Sequence, residues 1–167
     1  MPEPAGERAR AVGGTALATM LLALIVGQIS MHSTMAGVRM AAPLLLLSES
    51  QSTWAVGVLM GLFAAAPVVL ALHAGRLADR HGYHRPLVLA VAMTASGGAL
   101  ALVATWCAPG WSFAVLCVSA MLAGAGANLG LIAIQRTAGR LARDATELRR
   151  VFSWLGLAPA LSNVAGP

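Results

Sequence analysis

A chain of 167 residues that is 58% hydrophobic and only 10% charged lacks the charge that a soluble domain uses to cover its surface, where about 25% is usual. Eleven basic residues against six acids give a formal net charge of +5. The bases sit in short gaps between long apolar runs, which excludes a continuous nucleic-acid-binding face. Every base is an arginine; with abundant alanine and glycine, that composition points to a GC-rich bacterial genome.

A bilayer core asks for about 20 apolar residues per helix. In chain order, residues 1–10 form a cytoplasmic tail, and residues 11–167 form part of a transmembrane half. The sequence predicts membrane helices over about 11–38, 54–74, 86–106 and 111–134, with a fifth from 151 that is still apolar at 167. The fold class is therefore all-α, a polytopic transmembrane helical bundle. The first run follows Arg8 and Arg10 but is far longer than the roughly 7–15 apolar residues of a signal peptide, so it is read as a retained helix. A carboxyl terminus inside hydrocarbon would leave backbone groups without partners. The expectation is a fragment of a longer chain.

Helix 1 carries Gln28, Ser30, His32, Ser33 and Thr34. Gln28 and His32 are four residues apart and share a face, with Arg39 close to it. Polar groups at membrane depth face the bundle or a water-filled cavity. Gln28 and His32 are accordingly either cavity-lining groups or interhelical hydrogen-bonding partners. Arg39 at mid-bilayer would cost about 2.5–3.5 kcal/mol. It either snorkels at the outer interface or faces a cavity, where it would bind an anion.

Helix 2 contains Pro67, expected to kink it. The turn after helix 3 and the start of helix 4 hold Cys107 and Cys117, read as small hydrophobes without metal or redox spacing. Helix 4 contains Gly124, Gly126 and Gly130, small residues that let backbones approach in lipid. Its Asn128 either joins helices or touches substrate. Helix 5 ends in Gly166-Pro167, another expected kink.

Arginines set the topology. Arg76, Arg80 and Arg85 lie between helices 2 and 3, and Arg136, Arg140, Arg143, Arg149 and Arg150 between helices 4 and 5. Basic residues near helix ends stay on the cytoplasmic side. The amino terminus and both these connections are thus placed inside, in a multi-pass inner (plasma) membrane protein. Trp54, Trp106 and Trp111 fall at predicted outer ends, where indoles favour the headgroup layer.

The connection between helices 2 and 3 reads GRLADRHGYHRPL from Gly75 to Leu87. It is similar to the major facilitator superfamily signature G-x-L-A-D-R-x-G-R-K-x-x-L, matching at Gly75, Leu77, Ala78, Asp79, Arg80, Gly82 and Leu87. Tyr83 and His84 stand where that family usually has two bases, and Arg85 follows. The resemblance implies a conformational-gating loop built from Gly75, Leu77, Asp79, Arg80, Gly82 and Arg85, with Asp79 latching one alternating-access state. It also implies secondary active transport of a small solute, with helix 1 lining the substrate cavity at Gln28, His32 and Arg39, without cofactor or metal, by a protein that is monomeric when full length and a chain that is inactive unless extended or paired. The end of helix 5 resembles the antiporter type G-x-x-x-G-P with Ser162 for the first glycine, which favours export or antiport. Where drug–proton antiporters have R-x-x-Q-G-x-G in helix 4, Ala120 and Ala123 replace the arginine and glutamine. Any proton coupling would then run through His32. The alternative is uptake of an anionic solute using Arg39. An intramembrane enzyme or a membrane sensor are distant alternatives, since no H-E-x-x-H, serine–histidine or nucleotide-binding loop is present.

Overall fold

The computed structural model describes the backbone of residues 5–81, 84–141 and 145–166. Within these it describes the side chains of residues 19, 22–70, 84–140, 145–146, 148–149, 151–157, 159–164 and 166. The order is α1 (Ala5–Ser48), α2 (Thr53–His81), α3 (His84–Ala104), α4 (Pro109–Leu141) and α5 (Ala145–Ala165), and no strand occurs among the described residues. The helices alternate in direction. The α1/α2 and α3/α4 connections share one rim, which also holds Trp54, Trp106 and Trp111, all exposed. The α2/α3 and α4/α5 connections belong to the other rim.

The helices run past the expected bounds. α1 has 44 residues, roughly 66 Å of helix at the usual rise, and continues ten residues beyond the expected end at Val38. Pro43 lies inside it. α4 continues seven residues past Ile134 to Leu141. The apolar run marks only the stretch that lipid requires, whereas Leu, Ala, Arg and Gln beyond it are good helix formers and carry the helix on. Among the described residues, three helices are long and apolar enough to cross a membrane, within α2, α3 and α4. Gln28, His32 and Arg39 interrupt the apolar character of α1.

α1 ends in a Schellman motif. The Gln51 amide donates to Leu46 O at 2.9 Å and the Ser50 amide to Leu47 O at 3.0 Å, while Ser50 takes the left-handed conformation at φ 58°. Glycine usually fills that position. Ser52 then opens α2, its hydroxyl accepting from the Ala55 amide at 3.3 Å. Four residues thus reverse the chain between two long helices.

α4 lies at the centre, packed against α1, α2 and α3. Lipid offers no hydrophobic drive for helices to associate, so attraction comes from close contact and interhelical hydrogen bonds. Toward α3, a methyl group added at Gly126 would lie 2.5 Å from Thr94 Oγ1 and 2.8 Å from Ala90 O. Ser119 of α4 donates to Gly97 O at 2.6 Å in the same seam. Toward α2, a methyl at Gly124 would lie 3.0 Å from Phe63 O. That carbonyl is the one Pro67 leaves without its helical donor, because proline has no N–H. The proline and the glycine are therefore partners across the α2–α4 seam. Above this level a core cluster joins Leu46 of α1, Leu59 and Phe63 of α2, Ala104 of α3 and Leu116 and Ala120 of α4.

Gly126→Val should break the α3–α4 seam at a cost of about 1–3 kcal/mol, the usual penalty of overpacking. Thermal unfolding in detergent, followed by circular dichroism, should show a lower midpoint. Gly139→Ala, where nothing lies within 4 Å, should leave the midpoint unchanged or slightly raised.

Candidate functional site

The polar stripe of α1 is the strongest cluster of chemistry within the described bundle. Gln28 is fully buried. Its amide Nε2 meets His32 Nδ1 one turn along, the i to i+4 spacing that stacks side chains on one helix face. With Gln28 donating, Nδ1 accepts and the imidazole proton resides on Nε2. A proton added to Nδ1 removes that acceptor. The pair is then restored when the amide turns over and presents Oε1. Gln28 Oε1 is buried and has no hydrogen-bond partner, as are Ser33 Oγ and Thr94 Oγ1. A buried amide oxygen left unpaired costs about 1–3 kcal/mol. The pair thus keeps one buried acceptor, Gln28 Oε1, without a donor.

Two hydroxyls beside this pair, those of Ser30 and Thr34, are occupied. Ser30 donates to Val26 O and Thr34 to Ser30 O, each at 3.0 Å, bonds back into the same helix that leave little for a solute. α5 packs on a neighbouring face of α1. Ser162 donates to Ile29 O at 3.2 Å, and a methyl at Gly166 would lie 2.7 Å from Ser33 O and 2.8 Å from Ala36 Cβ. Met31, by contrast, reaches α4 at Gly130. Gln28 and His32 lie on the arc of α1 between those two contacts.

Arg39 is exposed and continues the same stripe. Its depth follows from α3, which runs parallel to α1. Thr34 meets Gly98, where an added methyl would be 3.0 Å from Thr34 Cγ2. Five residues further along each helix, Arg39 stands level with Val103, in the last turn of α3. The stripe thus runs from a buried amide near mid-bundle, through a half-buried imidazole, to an exposed guanidinium near the tryptophan rim.

The other expected residues fall elsewhere. Asn128 is half-buried, but it sits two residues from Gly130, about 200° around α4 from the α1 contact. The structure does not bring it onto the stripe. Gly75, Leu77, Asp79 and Arg80 belong by backbone to the last two turns of α2, which stays helical to His81. The expected gating loop is therefore largely a helix end, since Leu, Ala and Arg favour helix and nothing interrupts them before Gly82. The side chains of these four residues, Gly82 and Pro167 lie outside the described residues. Arg85 is exposed on the first turn of α3, just before Pro86, where proline suits a helix start. Cys107 and Cys117 are free thiols, and among the described residues no three His, Cys, Asp or Glu side chains converge.

One polar cluster escaped sequence reasoning. At the tryptophan rim, buried Ser112 donates to the Glu49 carboxylate, and Gln51 Nε2 donates to Pro109 O at 2.9 Å. The α1/α2 connection is thereby tied to the first turn of α4, where a carboxylate also meets the positive end of the helix dipole. The run Ser48–Ser52 between two apolar stretches was the available signal.

These features define a multi-pass membrane protein with a polar stripe on one helix of an otherwise apolar bundle. The family model of the Major Facilitator Superfamily matches residues 21–167, and the chain belongs to that superfamily. Its members are secondary transporters rather than enzymes. Comparison with curated proteins and with solved structures gave no match.

Glu49→Ala should remove the carboxylate from the first turn of α4 and lower stability by about 1 kcal/mol, the scale of one net hydrogen bond. The drop should appear in detergent thermal melts and should largely vanish when Ser112→Ala is already present, because the two share one interaction.

Proposed function

We propose that this protein moves a small solute by alternating access, with export or antiport favoured and protons as the coupling ion. The Gln28–His32 pair carries this reading. It is a titratable group beside a buried, unpaired amide oxygen on one face of α1. Protonation of His32 exchanges a donating for an accepting amide, giving a local element with two arrangements that a proton can bias. The replacement of antiporter arginine and glutamine by Ala120 and Ala123 leaves His32 as the coupling group. Arginine at one rim supports an orientation with that rim and the amino terminus in the cytoplasm, in a bacterial inner membrane.

Uptake of an anionic solute is the second reading. Arg39 favours it, as an exposed guanidinium on the same stripe as His32.

Vesicles carrying the protein in its extended or paired form, loaded with a pH-sensitive dye and offered a panel of organic cations and anions, test both. A solute that moves protons through the wild type should move none through His32→Ala, while still binding. Retained proton movement in that variant would sink the coupling role. Arg39→Ala should weaken anions selectively if the second reading holds, and leave cation transport intact if the first does.

Asp79→Asn tests the latch that family resemblance assigns to the end of α2. Transport should fall on the order of tenfold, the scale of a typical coupling free energy, without loss of folded protein on size-exclusion chromatography. Unchanged transport would remove that role.

A further inference from the structure

We propose that the arginine-bearing rim of the bundle is a docking surface for the headgroups of acidic phospholipids. The charge distribution is the first ground. In the amino-terminal tail Arg8 and Arg10 balance Glu3 and Glu7, and on the tryptophan side Arg39 balances Glu49. The remaining eight arginines and three acids all fall between Gly75 and Arg150, around the α2/α3 and α4/α5 connections. The whole net charge of +5 thus belongs to one rim.

The packing brings these charges together. Ala90 of α3 lies against Gly130 of α4. Six residues further along each antiparallel helix, His84 stands opposite Arg136, and Arg85 is adjacent. Val151 of α5 shares a cluster with Ile134 and Ala138 of α4, which sets Arg149 and Arg140 at a common level. Three helix ends therefore present Arg85, Arg140 and Arg149 at one rim, all with exposed side chains, and Arg136 half-buried among them.

What lies just beneath identifies the occupant. Val88 is 67% exposed and Phe152 41% exposed. Each lies three residues, roughly 4.5 Å, along its helix from Arg85 or Arg149 toward the bilayer centre, and on nearly the same face. A free phosphate would use only the guanidinium layer. A phospholipid uses both, its phosphate on the arginines and its acyl chains on the valine and phenyl ring. Arginine also forks onto phosphate oxygens in a way a single ammonium does not.

Native mass spectrometry of the purified full chain in detergent tests this, with phosphatidylglycerol and phosphatidylcholine of matched acyl chains as probes. The wild type should retain phosphatidylglycerol in preference. The triple variant R85Q/R140Q/R149Q should bind it on the order of a hundredfold more weakly, from about fivefold per base near the headgroup layer. The triple lysine variant should keep much of the affinity, and excess inorganic phosphate should not displace the lipid. Equal retention of phosphatidylcholine, undiminished binding by the glutamine variant, or full displacement by inorganic phosphate would overturn the proposal. Should the glutamine variant not fold, salt decides on the wild type. Affinity for phosphatidylglycerol should fall steeply as salt rises, and salt independence would refute the site.

Discussion

The structure depends on how closely helices can approach where there is no water. Within hydrocarbon each backbone polar group must find a partner inside the protein, and helix–helix attraction has no hydrophobic term to draw on. α4 meets that constraint with small residues at its seams. Gly126 admits the α3 backbone, Gly124 admits the Phe63 carbonyl of α2, and Gly130 receives Met31 of α1. Because α4 contacts three neighbours in this way, the orientation of each is set by its own short seam. The pairing of Pro67 with Gly124 shows the economy of the arrangement. A helix defect in α2 and a missing side chain in α4 fit one another.

Such packing leaves one helix free for other work. α1 contacts α4 through Met31 and α5 through Ile29, Ser33 and Ala36, and between those contacts its polar stripe runs from buried Gln28 to exposed Arg39. In lipid an unpaired amide oxygen and an imidazole would be disfavoured, yet here the surrounding helices hold them in place. The Glu49–Ser112 and Gln51–Pro109 contacts fix the tryptophan rim, while the opposite rim carries the family's characteristic sequence and the net positive charge. The bundle is thus chemically polarised along its axis: hydrogen-bonded and aromatic at one end, cationic at the other.

Much of this was legible in the sequence. Apolar runs located five helices because hydrocarbon imposes a minimum length, and alternation of arginine-rich gaps ordered their directions. The i to i+4 spacing of Gln28 and His32 placed both on one face before any coordinates, and the motif from Gly75 to Leu87 pointed to the superfamily. Helix ends were less legible. The last turns of α2 are mixed in polarity, and hydropathy does not register a helix that leaves the bilayer; in α1 the charge of Arg39 breaks an apolar run that resumes over residues 40–47. Glu49 went unnoticed because its partner Ser112 is 63 residues away.

The sequence by itself determined the membrane class, the family and the axial position of each polar group, since these follow from composition and from spacing along a single helix. Only the tertiary structure decided rotation about each axis. Asn128 and Gly130 are two residues apart, yet one meets α1 and the other is turned away. Gln28 has a buried oxygen without a partner because of what the neighbouring helices do not offer. Pro67 is read as a kink from sequence and as half of a helix contact in the fold. The physical reason is the same throughout: local sequence sets what a helix is, while contacts between segments distant in sequence set which face it turns to its neighbours.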